Sequence, residues 1–509
     1  MTIIRKEGPA SEARAASAPR PPAVIRPNLP LGVVVAMSCL AQFMVVLDSA
    51  IVILALPQMR SGLGLSTGQQ QWVVSGYLIT LGGFLLLAAR AGDLFGRKRV
   101  FLFGAVVFTA ASLAGGLATG PDMLLAARII QGVGAAALAP TSLSLITVTH
   151  TDEQQRHRAL ALWSIMGGAA GAVGVVVGGV FTAELSWRWV MFINVPFGIV
   201  LFAAGLVSLL PPPAGAKRIR LDLPGALSIT LGMGALTYGL SQASSDGWRS
   251  PNVLAGLIAG AVLIAGFVAV EAASSRPLIA LSLFRPRSLQ VGNLIMLCLG
   301  VTLTAASYFL SLYLQEAIGY SALRTGMAML PMTVILIAGG LASRQLMPVV
   351  GRRLLLVLGA VIAAGGIAWL ATVPTHPAYV AHILGPNLVA GFGLSLMLPP
   401  VTLSATIGID AKDAGAAAGL LNTSRQIGGA IGLAVLVTVA STATSHAAAG
   451  RHATGLAALI HGYHVAFLVD AGVMLVAALA ALALPADARQ RTDTASASNI
   501  APATVSAQR

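Results

Sequence analysis

Charge is scarce in this sequence. Only 9% of its 509 residues are Asp, Glu, Lys or Arg, while 56% are hydrophobic and the mean hydropathy is +0.84. Soluble domains carry roughly 25% charged residues, so a chain this apolar lacks the polar surface to cover itself in water. That excludes a soluble globular protein and leaves a polytopic membrane protein. Cysteine is almost missing as well: Cys39 and Cys298 both fall inside apolar runs, so neither a disulfide framework nor a metal site is implied. The sequence has no Gly-x-x-x-x-Gly-Lys-Ser/Thr loop and no His-Glu-x-x-His pair, which removes the usual ATP-binding and zinc-hydrolase signatures. No cofactor is implied, and no enzymatic activity. A net charge of +14 would ordinarily raise nucleic acid as a partner. Here the basic residues sit in short loops between apolar runs, so membrane topology accounts for them and nucleic acid is not expected.

What the chain does have is long hydrophobic runs. A hydrocarbon core about 30 Å thick takes about 20 apolar residues per helix. Fourteen runs of that kind are present, at roughly 30–56, 70–92, 99–119, 121–147, 159–183, 189–211, 224–242, 252–273, 288–314, 325–349, 352–373, 378–404, 414–441 and 462–484. They are too long for barrel strands and do not alternate with period two. The expected fold is therefore all-α and polytopic, with 14 transmembrane helices. Residues 1–29 and 486–509 read as polar cytoplasmic tails, the first of them disordered.

Charge bias orients the spans. With the N-terminus inside, 23 of the 31 Lys and Arg residues fall in the tails and inner loops, 5 in outer loops (Arg60, Arg188, Arg249, Arg324, Arg451) and 3 within spans (Arg90, Arg128, Arg425). That split follows the positive-inside rule, and one missed span would blur it. Both termini are accordingly expected in the cytoplasm and the chain in the inner (plasma) membrane.

Two inner loops echo one another. "ARAGDLFGRKRV" (Ala89 to Val100) follows span 2, and "LASRQLMPVVGRRLLL" (Leu341 to Leu356) follows span 10. Each has a small residue and Arg at the helix end, then Gly and basic residues. Matching them pairs spans 1–6 with spans 9–14, the internal repeat common among transporters. The expected organisation is a six-helix bundle over 30–211, an inserted two-helix hairpin with linkers over 212–275, and a second six-helix bundle over 276–485. In the first loop Gly92 and Gly96 permit a tight turn. Asp93 is placed to accept from helix N-termini or from Arg97, a contact able to latch an inner gate. Plain positive-inside charge would account for the basic residues but not for Asp93.

A charge at the bilayer centre costs roughly 2.5–3.5 kcal/mol on insertion scales, so such residues usually face a bundle interior or cavity. The candidates are Asp48, Arg128, Arg425 and Asp470, with Glu271 and Glu316 near helix ends. Asp48, in "VLDSAIVILALP" (Val46 to Pro57), is the sole charge between Arg26 and Arg60. Asp48 in an outward-running span and Arg128 in an inward-running one both lie on the order of 10–14 Å below the outer surface, level enough to pair. A structural ion pair is the alternative to a functional one. Asp470 is either a second acidic contact for a substrate or a satisfied residue near an outer helix end. Asn422, Arg425, Gln426 and Gly429 share one face of span 13, which suits interior packing and cavity lining equally. Small residues crowd spans 4 and 5 and fit a moving interface between bundles.

These stretches resemble the major facilitator superfamily, in particular its fourteen-span drug:proton antiporter branch. "LDSAIVILALP" is similar to that branch's first-helix motif, "GDLFGRKRV" to the superfamily loop motif, and "RIIQGVGAAALAP" (Arg128 to Pro140) to the fourth-helix motif. "SWRWVMFINVPFG" (Ser186 to Gly198), "YLQEAIGYSALRTGMAMLP" (Tyr313 to Pro331) and "LNTSRQIGGAIG" (Leu421 to Gly432) resemble other stretches of the branch. There are departures: Ala89 and Leu94 replace the usual Gly and Arg of the loop motif. "GVVVGG" (Gly174 to Gly179, including Gly178) has Val175 where the fifth-helix antiporter motif has proline, so that helix should be straighter than the family pattern. The resemblance implies proton-driven efflux of drug- or antibiotic-like small molecules by alternating access, with Asp48 and Arg128 in proton coupling. Asp48, Gln131, Asn422, Gln426 and Asp470 are its substrate-binding candidates, and the cargo is lipophilic, with cations among the candidates. Partners would be that cargo, protons and the bilayer, and the protein a monomer. A proton-coupled importer of a small metabolite is the alternative. One charge moving down about 100 mV yields about 2.3 kcal/mol, enough for roughly a fiftyfold gradient.

Overall fold

The computed structural model describes residues 31–150, 152–209, 222–274, 285–375, 377–407, 409, 413–449 and 455–484. The two polar tails, the linker residues 212–221 and 275–284, and the loop cations Lys217, Arg218, Arg220, Arg276 and Lys412 lie outside them. Among the described residues every regular element is helical. Fourteen helices are long and apolar enough to cross a membrane, so the chain is a multi-pass membrane protein with the expected number of spans.

In chain order they are α1 (Leu31–Leu63), α2 (Thr67–Phe95), α3 (Arg97–Gly116), α4 (Pro121–Thr149), α5 (Glu153–Val180, continued by a π-turn Phe181–Leu185) and α6 (Asn194–Ser208, preceded by the turn Trp189–Phe192). They continue with α7 (Leu223–Asp246), α8 (Pro251–Ala273), α9 (Arg287–Leu312, continued by a π-turn Tyr313–Ala317) and α10 (Ala322–Val350). The last are α11 (Arg352–Leu370), α12 (Gly385–Thr406, preceded by a π-turn Val380–Leu384), α13 (Ala414–Ala449) and α14 (Leu456–Leu482). Most helices run past their apolar runs because polar ends pair locally. Before α2, Ser66 accepts from the Gln69 backbone while the Gln69 side chain accepts from the Ser66 backbone. This capping box satisfies two of the N–H groups that any helix start leaves open. It also explains the letters Gly64-Leu65-Ser66-Thr67-Gly68, which match a nucleophile elbow: the serine is a cap.

The loop echo has a backbone counterpart. Gly96 joins α2 to α3 at φ 92°, and Gly351 joins α10 to α11 at φ 87°. Each is a one-residue turn in the left-handed region, where a Cβ is penalised. The helix pairing repeats likewise. In α1–α6, α1 packs on α4, α5 and α6, α4 on α2 and α3, and α3 on α6. In α9–α14, α9 packs on α12, α13 and α14, α12 on α10 and α11, and α11 on α14. The hairpin α7–α8 packs on itself, and α7 also touches α2 and α13, one from each set. Trp72 donates to Ser241 Oγ at 3.1 Å and Thr438 donates to the Leu240 carbonyl at 2.7 Å. A Cβ on Gly83 of α2 would collide with Thr230 of α7.

The small residues expected at a moving interface divide in two. Gly132 and Gly134 of α4 pack on Tyr77–Thr80 of α2 and on Phe108 of α3, inside their own set. Of these two helices, α5 is the one whose glycines reach the other set: Gly168 and Gly171 meet Ile337 and Thr333 of α10. Reading α4 as part of the sliding surface is therefore corrected; its glycines let backbones approach within the first set. α5 is unbroken through Val175. We expect Gly96→Ala and Gly351→Ala each to cost roughly 1–2 kcal/mol from backbone strain, read as similar drops in the detergent melting temperature. Ala at Gly365, which has open space and a helical backbone, should not lower it.

Candidate functional site

The one fully buried ion pair among the described residues sits inside the first helix set. Asp48 of α1 is 0% exposed and Arg128 of α4 is 1% exposed. Arg128 Nη1 donates to Asp48 Oδ2 at 2.6 Å. On the other oxygen, Gln131 Nε2 and Asn194 Nδ2 each donate to Asp48 Oδ1 at 2.8 Å. Three donors and no acceptor meet the carboxyl group, which is what an anion requires; an O–H there would point at N–H groups.

Arg128 is held independently of Asp48. Its Nε donates to the Val73 carbonyl at 2.9 Å, its Nη1 to Gln131 Oε1 at 2.6 Å, and its guanidinium lies 4.4 Å from the Tyr77 ring centroid. Tyr77 in turn donates to the Val45 carbonyl at 3.3 Å. Gln131 Nε2 also donates to Ser112 Oγ at 2.8 Å, and Ser112 donates to the Phe108 carbonyl. Asn194 Oδ1 is left without a partner. Arginine and glutamine lie three residues apart on α4, so both point at the same turn of α1.

The motif glycines of α5 frame this turn. Cβ atoms on Gly174 and Gly178 would lie 2.9 Å from Ala50 Cβ and 2.8 Å from Ile51 Cγ1 of α1, on the stretch that carries Asp48. On the opposite side a Cβ on Gly179 would lie 2.8 Å from Leu323 Cα, and one on Gly326 of α10 would lie 2.5 Å from the Val175 carbonyl. Val175, where the family pattern has proline, lies with its backbone carbonyl against Gly326 of α10.

The remaining sequence candidates are dispersed. Gln131 spends its amide inside the network and, like Asp48, is fully buried in this conformation. Asp470 of α14 is 1% exposed, accepts from Thr302 of α9 at 2.7 Å, and keeps Oδ2 unpartnered. Asn422 accepts from Arg425 at 2.9 Å, one turn away on α13, and Gln426 lies beside Gly82 of α2. Asp93 pairs with Arg97 at 3.0 Å across a single turn, with the Asp93 side chain 61% exposed. Gly92 packs on Thr141 of α4 and Gly96 forms the turn. This loop pair stays within the first set, so it makes no latch to the second set in this conformation. An exposed i,i+4 pair contributes at most about 0.5 kcal/mol.

Asn194 and Ser112 went unremarked in the sequence. Their signal was available: each is a polar residue inside an apolar run. Asn194 belongs to "SWRWVMFINVPFG", whose other members also have structural duties. Arg188 donates to the Gly116 and Ala118 carbonyls at the end of α3 at 2.9 and 2.6 Å and lies 4.5 Å over Trp187. Trp187 is buried against Gly62 of α1.

Breaking one side of a buried pair costs about 3–5 kcal/mol, because the other charge stays buried and unpaired. Arg128→Gln alone should therefore destabilise the protein more than the Asp48→Asn/Arg128→Gln double substitution. A thermal-unfolding double-mutant cycle in one detergent should give a coupling of about 2 kcal/mol or more. Additive losses would mean the two side chains do not act as a pair.

The described geometry can be set against known proteins. The family model "Major Facilitator Superfamily" matches residues 38–433. The cephamycin export protein CmcT of Amycolatopsis lactamdurans is 41% identical over 456 residues, 89% of this chain and 92% of that protein. The puromycin resistance protein pur8 of Streptomyces alboniger is 36% identical over 471 residues, 91% and 93% of the two chains. Among solved structures, the inward open conformation of the xylose transporter XylE from E. coli aligns with a TM-score of 0.61 at 14% identity, covering 91% of this chain and 98% of that one.

Proposed function

The chain belongs to the Major Facilitator Superfamily, and from that premise we propose that it expels drug- or antibiotic-like small molecules across the plasma membrane, driven by protons, through alternating access. As a member of that family it is a transporter and not an enzyme. The observation that carries the proton coupling is the sealed Asp48–Arg128–Gln131–Asn194 network. Such a carboxylate is expensive in hydrocarbon unless it is used or fully satisfied. In the arrangement seen here its donors satisfy it as an anion, and its partner is braced for the loss of that charge.

Three features make the pair breakable. Arg128 keeps Val73, Gln131 and the face of Tyr77 when Asp48 takes a proton. The unused Asn194 Oδ1 is the acceptor that a protonated Asp48 needs, reached by turning over one amide. Ser112 stands ready to hold Gln131 throughout. A proton therefore moves the site between two satisfied arrangements, the bistable element that switching requires. The direction, outward, rests on the relatives: CmcT is named for cephamycin export and pur8 for puromycin resistance. The cytoplasmic placement of both termini rests on the 23-to-5 distribution of Lys and Arg between proposed inner and outer segments. We take the protein to work as a monomer whose two six-helix sets, about residues 30–211 and 276–485, rock about the α1–α9 and α5–α10 contacts, with α7–α8 as an inserted hairpin. In this orientation the conformation described is tied on its outer side, where Ser311 and Gln315 of the second set donate to the Ile53 and Leu54 carbonyls of α1 at 3.3 and 3.1 Å.

The test is counterflow in inverted vesicles. An imposed pH gradient should drive uptake of an ethidium-like dye with matching proton efflux. Asp48→Asn should leave the protein folded and abolish the driven movement, and Arg128→Lys should retain part of it. Full driven transport by Asp48→Asn would sink the assignment.

A further inference from the structure

A second polar site lies between the helix sets, away from the Asp48 network. On the side where α1 and α9 end, a cavity of about 230 Å³ is bounded by α1, α2, α9 with its π-turn, α13 and α14. Its walls hold an unusual stock of unused polar atoms. Gln70 of α2 is 0% exposed, yet both its Nε2 and Oε1 lack partners. Tyr308 of α9 is 1% exposed and its hydroxyl lacks one too. A buried polar atom left unpaired is costly, so three of them at one cavity mark a place that something else completes.

The charge at the cavity is loosely held. Glu316 faces Arg60 of α1 at 3.8 Å and receives the Tyr463 hydroxyl at 3.4 Å. Both distances exceed those of a good charge-assisted hydrogen bond. Around the carboxylate stand aromatic rings, with Phe309 5.4 Å from Tyr308 and 5.7 Å from Tyr463 by ring centroid. A carboxylate, ring faces and a free amide oxygen together make an ammonium site. An anion drawn to Arg60 would meet Glu316 beside it. The volume falls below the 300 Å³ or more typical of drug-sized pockets, so it takes a headgroup and leaves the apolar body of the ligand outside.

We propose that this cavity binds the alkylammonium headgroup of an amphipathic amine, which replaces Arg60 as the counter-ion of Glu316 while Gln70 and Tyr308 supply hydrogen bonds to it. Arg60 and Glu316 belong to opposite helix sets, so an occupant of this kind removes one tie between them. The chemistry of the site stands on its own; its use as an exit subsite for cargo rests on the export reading above. The same headgroup occurs on cargo amines and on phosphatidylethanolamine.

The test uses the full chain in nanodiscs of phosphatidylglycerol, with dansylcadaverine as probe and its N-acetylated, uncharged derivative as control, followed by fluorescence anisotropy. The amine should bind at least tenfold more tightly than the control. Glu316→Gln should erase that difference, and Arg60→Gln, which removes the competitor, should strengthen amine binding severalfold. In a Cys39→Ser/Cys298→Ser/Ser441→Cys protein, dansylcadaverine should slow maleimide labelling at the cavity wall. Equal affinity of amine and control, an unchanged preference in Glu316→Gln, or undiminished labelling overturns the proposal. Nanodiscs containing phosphatidylethanolamine divide the two sources: weakened probe binding identifies the lipid as occupant, and unchanged binding identifies cargo. Binding at equilibrium needs no proton gradient, so a failure of the Asp48 transport test leaves this result readable, and the reverse.

Discussion

A carboxylate locked away from water inside a helix set has to be answered by donors from the protein itself, and much of the first half of this molecule is arranged to answer Asp48. α4 brings Arg128 and Gln131, α6 brings Asn194, α3 supports Gln131 through Ser112, and α2 supports Arg128 through a carbonyl and a ring. The helices can converge only because glycines let backbones touch: Gly132 against α2, Gly134 against α3, Gly174 and Gly178 against α1. The packing of α1–α6 and the electrostatics of one acid are therefore a single problem. Hydrocarbon-facing side chains cannot help, since lipid offers neither donors nor screening.

The seam between the helix sets is built differently. Apart from the loose Arg60–Glu316 pair, the polar contacts described across it are single hydrogen bonds to backbone carbonyls: Ser75 to Ala430, Thr423 to Gly82, Ser311 to Ile53, Gln315 to Leu54. Each is worth only about 0.5–1.5 kcal/mol net. Side chains that bond to a neighbouring helix's backbone can find another carbonyl after a small slide, whereas the donors to Asp48 have one acid to serve. α7 rests on α2 and α13 at once, which places the inserted hairpin as a cover along one edge of this seam.

The fold was open to reading in the sequence because hydrocarbon thickness imposes span length, and because loop cations record sidedness; fourteen spans followed from those two constraints. The repeat was legible in one loop, since a turn of a single residue at positive φ leaves Gly96 and Gly351 as visible marks. The ion pair was legible too, because Asp48 and Arg128 are isolated charges at matching depth. Their surroundings were not. Periodicity ranks faces of a helix but does not say which neighbour a face meets, so it could not show that Gln131 bonds to Asp48 and Ser112. Asn194 was hidden for the opposite reason: one amide at the start of a helix looks like an end effect until the fold brings it to the acid. Glu316, Gln70 and Tyr308 come from three distant segments and share a cavity only through tertiary packing.

Sealing Asp48 from solvent changes what coupling has to mean. An acid with no surface cannot be stripped of its proton by direct contact with cargo, so competition for one site does not describe this conformation. Under the proposed coupling, communication would pass along elements that touch both the acid's network and the seam: α2 does so through Val73, Tyr77 and Ser75, and two more do. α1 carries Asp48 and, within about 9 Å along its axis, the Ile53 and Leu54 carbonyls that receive Ser311 and Gln315 of the second set. α5 lays Gly174 and Gly178 on the Asp48 stretch and, one residue on, Gly179 on α10. A change in the hydrogen bonding of Asp48 that shifts α1 by a fraction of an ångström is felt at both joints, because close-packed glycine contacts have no slack to absorb it. Under the proposed coupling, the fifth-helix motif would join the acid's own segment to the opposite helix set, with the Val175 carbonyl lying against Gly326.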